Sequence, residues 1–359
     1  MESSDRQRKY RTVANELRDS ILSGKYAPGA AFPSVKMLCR RFNVSHLTAV
    51  KAIETLKGMG LVRARNGVGT FVRKRMTSIG LIVPMLRQVE IFPPICHEIS
   101  HICQEKGIAV DFADISGHVP KKVGDMVVAT ARRMADSDVS GVIFHPVDFG
   151  DGADKVNCEV EEIFHAAGIP LVLLDSDLDS RSPDRRFDFI GIDNRAIGRN
   201  AGLHVIECGA KSIAFVAWEN MTGNVMLRLD GVMSAIASKR DVKLAGKYLW
   251  LRDEPKLAGL WCRRLPNAIV CSSDLVAAHV LKLLLKLKKR CPQDVLVTGV
   301  NDVDLAKLLS PQLTTIRQPC EAIARAAFET LVWRMENPDE LPRRIFVSAD
   351  LVVRESTTR

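Results

Sequence analysis

Polar residues collect at four places where a short apolar run ends. Asp175, Ser176 and Asp177 close IPLVLLD; Trp218, Glu219 and Asn220 follow SIAFVA; Ser272, Ser273 and Asp274 follow AIVC; Asn301 and Asp302 follow VLVTGV. Carboxylates accept from hydroxyls, amides both donate and accept, and a flat indole covers an apolar ring face. Together these types suit a neutral, polyhydroxylated ligand. Any one aspartate or serine there is also a natural helix N-cap, so the set carries more than its members.

A second constellation lies between Pro33 and Val72. Val35, Leu38, Cys39 and Phe42 fall on one helical face behind Ser34 as N-cap. Asn43 and Val44 break the pattern. Ser45 then caps a second helix with an apolar face of Ala49, Ile53, Leu56 and Met59. That spacing predicts a helix-turn-helix whose second helix enters the major groove, with Ser45 to Thr48 meeting base edges and phosphates. Leu61 to Val72 predicts a strand, an Asn-Gly turn and a second strand. In this hairpin Arg63 and Arg65 supply charge, and Gly67, Gly69 and Thr70 bring backbone close to DNA. Val13, Leu17 and Ile21 mark an earlier helix, which Gly24, Pro28 and Gly29 end.

Charge supports the same partner. Residues 1–76 hold 16 Lys or Arg against 5 Asp or Glu, a net +11, whereas the whole chain of 359 residues is +9. The remainder is therefore slightly acidic, and the basic excess sits on the segment expected to touch double-stranded DNA.

Neither GxSxG nor GxxxxGK[ST] occurs, and the HExxH run of His97, Glu98, Ile99, Ser100 and His101 stands without a third ligand, so an enzyme is not expected. Nine cysteines are scattered without a CxxC pair, which points to reduced thiols in the cytoplasm. His97 and His101 have helical i, i+4 spacing but no third ligand, so neither metal nor cofactor is expected. The chain has no apolar run of about 18 residues and a polar, charged beginning, so no membrane span or secretory signal is read.

Beyond the basic RKR at 73–75, apolar runs at 79–83, 141–144, 169–175, 212–217, 268–271 and 295–300 alternate with helical patterns at 91–105, 123–136, 156–167, 195–208, 228–239 and 274–289. The alternation predicts two α/β lobes, each a doubly wound parallel sheet. Ligands of such sheets bind beyond the carboxyl ends of the strands, where the four polar clusters fall. The 274–289 helix, with Val276, Val280, Leu283, Leu284 and Leu287 on one face and small Ala277 and Ala278, is either lobe core or a homodimer contact.

Two resemblances sharpen these expectations. The stretch from Leu17 to Val72 resembles the winged helix-turn-helix of GntR-type regulators in its GKYAPG turn, PS cap, VS..T helix start and NGVGTFV wing. That family usually has arginine where this chain has Lys36, His46 and Val50. The resemblance implies operator contacts by Lys36, His46, Thr48 and Lys51 in their place, with backbone contacts by the wing glycines. Residues 78–357 resemble the effector domain of LacI-type repressors, which is similar to periplasmic sugar-binding proteins, in GIDNRAIGRNAG, MLRLDGVMSAI, CSSDLVAAHV, VTGVND and LVVREST. This resemblance implies Arg228 as the ligand anchor, Asp175, Ser273, Asp274 and Asn301 at matching strand ends, and Gln318 lining the cleft. Ser273 stands where asparagine is usual and Asn301 where aspartate is usual, so the usual ligand preference need not carry over. The short hinge helix of LacI-type proteins has no counterpart between Arg73 and Ser78.

The combination is similar to arabinose-repressor-type regulators. It implies a reader at 1–76 and an effector domain at 77–359, with one lobe about 78–190 and 319–345 and the other about 191–318 and 346–359. The function expected is a ligand-responsive bacterial regulator, a repressor, that binds operator DNA as a homodimer and is released by a monosaccharide. The alternatives are a DNA-binding regulator with no ligand response, or one sensing a non-sugar effector such as a purine.

Overall fold

The computed structural model describes all residues except Met1, 66–67, 74–75, 85–88, 114, 116–119, 138, 149–151, 178–185, 219–221 and 359. It divides into two units, Met1–Ser78 with Val332–Glu340, and Ile79–Leu331 with Leu341–Arg359.

In the first unit, α1 (Glu2–Leu22), α2 (Val35–Phe42) and α3 (His46–Gly58) precede β1 (Val62–Arg65) and β2 (Gly69–Val72). Ser34 caps α2 by accepting from the Met37 amide, and Asn43 ends it in the left-handed region at φ 47°. A left-handed residue at a helix C-terminus frees the chain to turn, and asparagine tolerates it better than most. Ser45 then caps α3 through the Thr48 amide. Val13, Leu17, Phe32, Leu38, Ile53 and Leu56 share one core with Val62 and Val72 of the hairpin. Met59 departs from its expected place on that face: α3 stops at Gly58, and Met59 is exposed. The hairpin also has a neighbour that periodicity did not reveal. Ala31 bridges Phe71, and Phe32 and Val72 exchange backbone bonds with Thr70 and Ala30 respectively.

The second unit continues with β3 (Ser78–Ile82), α4 (Phe92–Glu105), β4 (Ala109–Ala113), α5 (Pro120–Asp136), β5 (Val142–Phe144), α6 (Ala153–Ala166), β6 (Leu171–Leu174) and β7 (Asp188–Gly191). Next come α7 (Asn194–Glu207), β8 (Ser212–Ala217), α8 (Gly223–Ala237), β9 (Lys243–Leu249), α9 (Trp250–Arg263), β10 (Ala268–Cys271), α10 (Asp274–Lys286), β11 (Leu296–Asn301), α11 (Asp304–Leu308) and β12 (Thr314–Arg317). Then α12 (Cys320–Glu336), β13 (Arg344–Phe346) and β14 (Asp350–Val352) complete it. The last residues of α12 fall in the first unit.

Two six-stranded sheets result, in the orders β13-β7-β6-β5-β3-β4 and β14-β12-β11-β10-β8-β9. Pairing is parallel along β3, β5, β6, β7 and β13 and along β9, β8, β10, β11 and β12, while β14 runs antiparallel to β12. The central strands are buried throughout, as a sheet covered by helices on both faces requires. Each lobe has its own core, one around Val142, Phe144 and Phe164, the other around Val216, Trp261 and Val280. The apolar face of α10, with Val276, Val280, Leu283 and Leu284, lies in the second of these cores. That places it in the lobe interior, not at a dimer contact.

Two glycines fix how α7 and α8 meet. A Cβ on Gly198 would stand 2.0 Å from the Arg228 carbonyl oxygen, and one on Gly231 would stand 2.1 Å from the Arg195 carbonyl oxygen. The helices therefore touch backbone to backbone, and that approach sets the position of Arg228.

Candidate functional site

The reader presents a small basic surface. Lys36, His46 and Lys51 are exposed, as is the Ser45 that caps α3. Thr48 differs from expectation: it is buried, and its hydroxyl lies 2.9 Å from Ser45 Oγ. Its side chain thus serves the helix start, not a base edge. Arg63 is half-buried, and its Nη1 donates to the Met335 carbonyl at 3.1 Å. A phosphate contact by Arg63 would compete with that bond. Arg73 forms an ion pair with Glu336. Arg65 pairs with Gly69 across the hairpin, where Gly69 is exposed at φ 140° and Thr70 is half-buried. Gly67 and the side chain of Arg65 lie outside the described residues.

In the second unit the expected ligand residues separate into two groups. Asp175, Arg228, Asn301 and Gln318 are buried polar residues with site-like bonding. Asp175 follows β6 at φ 62°, and Asn301 ends β11 at φ 123°. Non-glycine residues seldom adopt such angles, and strain of this kind gathers at functional positions. The Arg228 guanidinium donates from Nε to Asn194 Oδ1 at 2.8 Å and from Nη1 to the Ser272 carbonyl at 2.7 Å. Burial lowers its pKa, opposed by the nearby charges of Asp175 and Asp274. Its fork is fixed before any ligand arrives, with Nη2 unbonded among the described residues.

The other group is turned to structural tasks. Ser273 accepts from the Val276 amide as the N-cap of α10, the alternative open to it from the outset. Asp274 is wholly buried, and both of its oxygens are taken, by Thr315 Oγ1 at 2.5 Å and by the Val303 amide at 3.0 Å. Burial pushes its carboxyl up to about 7, against the pull of those two donors. Asp274 thus holds the loop after β11 from behind. Asp302 on that loop is bound by Arg317 and Arg354. Trp218 is half-buried with its ring edge-on to His279 at 5.3 Å, against the core of the second lobe. Glu219 and Asn220 lie outside the described residues.

Several site residues were not legible in the spacing. Asn224 on α8 donates to the Asp175 carboxylate at 3.0 Å and to its carbonyl at 3.1 Å, joining the two lobes. Glu90, just ahead of α4, accepts from Asn301 Nδ2 at 2.8 Å, and Asn301 Oδ1 accepts from Gln318 Nε2 at 2.8 Å. Burial raises the Glu90 carboxyl, partly offset by the Asn301 bond. Asp148, after β5, is raised mainly by burial and further by Asp175, with His145 acting the other way. His145 places Nδ1 2.9 Å from the Leu174 carbonyl. Asn194 sits in the GIDN piece, a motif position; Glu90, Asp148 and Asn224 stand in loops or at a helix start with no pattern around them.

No group of three or more His, Cys, Asp or Glu able to hold a metal occurs among the described residues. No helix among them is long and apolar enough to cross a membrane.

Residues 9–72 match the family described as bacterial regulatory proteins, gntR family, and residues 203–357 match the periplasmic binding protein-like domain. The chain is 25% identical to the HTH-type transcriptional repressor PurR of Haemophilus influenzae over 78% of its own length and 81% of the relative's. It is 24% identical to the arabinose metabolism transcriptional repressor of Halalkalibacterium halodurans over 97% of this chain and 96% of that one. Among solved structures, the transcriptional regulator CelR–cellobiose complex shares the fold at a TM-score of 0.64 and 23% identity, over 90% of this chain and 100% of that chain.

Proposed function

We propose that this chain, a transcriptional regulator joining a GntR-family DNA-binding domain to a periplasmic-binding-protein-like effector domain, is a repressor that binds operator DNA as a homodimer and leaves it when a small polyhydroxylated ligand fills the cleft. It is a regulator and not an enzyme. The observation that carries the ligand half of this reading is the preset Arg228 fork, two of its donors spent on Asn194 and Ser272, beside a strained, buried Asp175. A ligand hydroxyl between them accepts from Arg228 and donates to Asp175, gaining charge-assisted bonds without reorganising either group.

Coupling follows from linkage. A ligand that prefers one arrangement of the lobes shifts that equilibrium by its differential affinity, on the order of 1–3 kcal/mol in comparable systems. In a dimer, that arrangement sets the spacing of two readers, and only a spacing near one helical turn, or a multiple, lets both engage a palindromic site. Titration of operator DNA by fluorescence anisotropy, with and without arabinose, ribose and cellobiose, tests the reading. Sugar-dependent weakening of DNA binding is expected; identical curves at every sugar concentration would remove the linkage.

A further inference from the structure

Helix α3 buries one face and leaves the opposite one outward. Thr48, Ala49, Ala52, Ile53 and Leu56 are its buried residues. The outward stripe runs at i, i+3, i+4 and i+7 through Leu47, Val50, Lys51 and Glu54, with His46 at its start. Leu47 is 54% exposed, and Val50, its neighbour one turn on, is half-buried. The Ser45 and Thr48 hydroxyls lie against each other, and Ser45 Oγ also accepts from the Thr48 amide. With those two occupied, the first turn offers DNA an imidazole, that of His46, and an aliphatic side chain, that of Leu47.

In a helix-turn-helix the N-terminal residues of the second helix meet base edges in the major groove. Those edges are mostly polar: N7 and O6 of guanine, N7 and N6 of adenine, N4 of cytosine, O4 of thymine. A leucine neither donates nor accepts, so against any of these it strips water and returns no hydrogen bond. The groove has one apolar feature, the 5-methyl group of thymine. An exposed leucine on a protein surface is ordinary in itself. Leu47 differs by its place, on a stripe shared with Lys51 and in the segment, residues 1–76, that holds the chain's basic excess. Such a face fits a polyanion, and leucine on it then selects among bases.

We infer that Leu47, with Val50 beside it, reads thymine methyl groups in the operator and so is a determinant of sequence specificity. The inference rests on the operator-binding reading above and names the base that this helix selects.

The test uses the full chain. A random duplex library is enriched on the protein, and the preferred duplex is then synthesised with each thymine replaced in turn by deoxyuridine, which keeps the base pair and loses only the methyl. Affinities are read by fluorescence anisotropy for the parent and for Leu47→Ala. At one or more positions the replacement is expected to weaken the parent about fourfold, the worth of one buried methyl. In Leu47→Ala the thymine and deoxyuridine duplexes are expected to bind alike, a ratio of about 1, whereas Leu47→Met keeps the preference. Melting temperatures establish that both variants fold. If the parent ignores every replacement, or if its preference persists undiminished in Leu47→Ala, the inference fails and the operator reading stands. Loss of all DNA binding in a folded Leu47→Ala exceeds what one apolar contact can supply and also overturns the assignment. If no duplex is enriched, the operator reading and the inference fail together.

Discussion

Asn301 donates its side-chain amide to Glu90 at 2.8 Å, across the cleft between the two sheets of the second unit. One end of this bond stands on the loop ahead of α4, the other at the strained end of β11, so the bond exists only when the lobes are together. Replacing Asn301 with aspartate sets a buried carboxylate against the half-buried one of Glu90, and like charges at that distance cannot both ionise cheaply. The expected result for Asn301→Asp is a chain about 1–2 kcal/mol less stable at pH 8 than the parent, with the deficit shrinking as the pH falls. Urea melts at pH 5.5 and pH 8 check it; an equal deficit at both would show that the pair does not interact as described.

Gly198→Ala tests the contact between α7 and α8. The added methyl meets the Arg228 carbonyl oxygen at 2.0 Å, a backbone atom that moves only with its helix. Overpacking of this kind costs about 3 kcal/mol and displaces Arg228 from Asn194 and Ser272. Both a lower melting temperature and loss of effector binding are expected. Retention of full effector affinity would mean that the helix contact does not position the arginine.

Asp274 predicts how stability depends on pH. Its folded pKa of about 7 lies above the unfolded carboxyl value, so the folded chain holds this proton more tightly. The contribution is fully present below about pH 4 and declines as the pH rises through about 7. Glu90 and Asp148 are shifted the same way. Melting temperatures measured from pH 4.5 to pH 8 should fall less steeply in Asp274→Asn than in the parent; parallel curves would remove Asp274 as a source of the slope.

On the reader, Lys51→Ala should weaken DNA binding nearly uniformly across sequences and reduce the slope of log K against log salt by about 1. Ser45→Ala should instead cost about 1 kcal/mol of stability through the lost cap on α3, with little change in the salt slope. Anisotropy titrations at four salt concentrations separate the two. A Lys51→Ala slope equal to the parent's would place Lys51 away from the phosphates.

Residues that repeat were readable in advance, and residues that stand alone were not. The runs at 79–83, 212–217 and 295–300 became β3, β8 and β11 because a strand buried on both faces needs an unbroken apolar stretch. Edge strands escape that requirement: β9, KLAGKYL, alternates exposed and half-buried positions and gave no such run. Helix α9 carries Pro255 inside it, which breaks the sequence pattern although the helix continues. At the cleft, Arg228 and Asp175 stood within motifs, whereas Glu90 and Asn224 earn their place through partners 211 and 49 residues away. The bland reading of Ser273 as a cap was also available, since serine before a helix does that work in any fold.

The 332–340 segment belongs to the same unit as residues 1–78, with Met335 held by Arg63 and Glu336 by Arg73. Regulators of this kind invite domain exchange, in which a reader is cut away and grafted to a foreign sensor. Here a cut at residue 78 leaves the hairpin arginines without the helix end they grip. A working chimaera must carry both pieces of sequence, so the portable unit is discontinuous even though the DNA-binding motif is not.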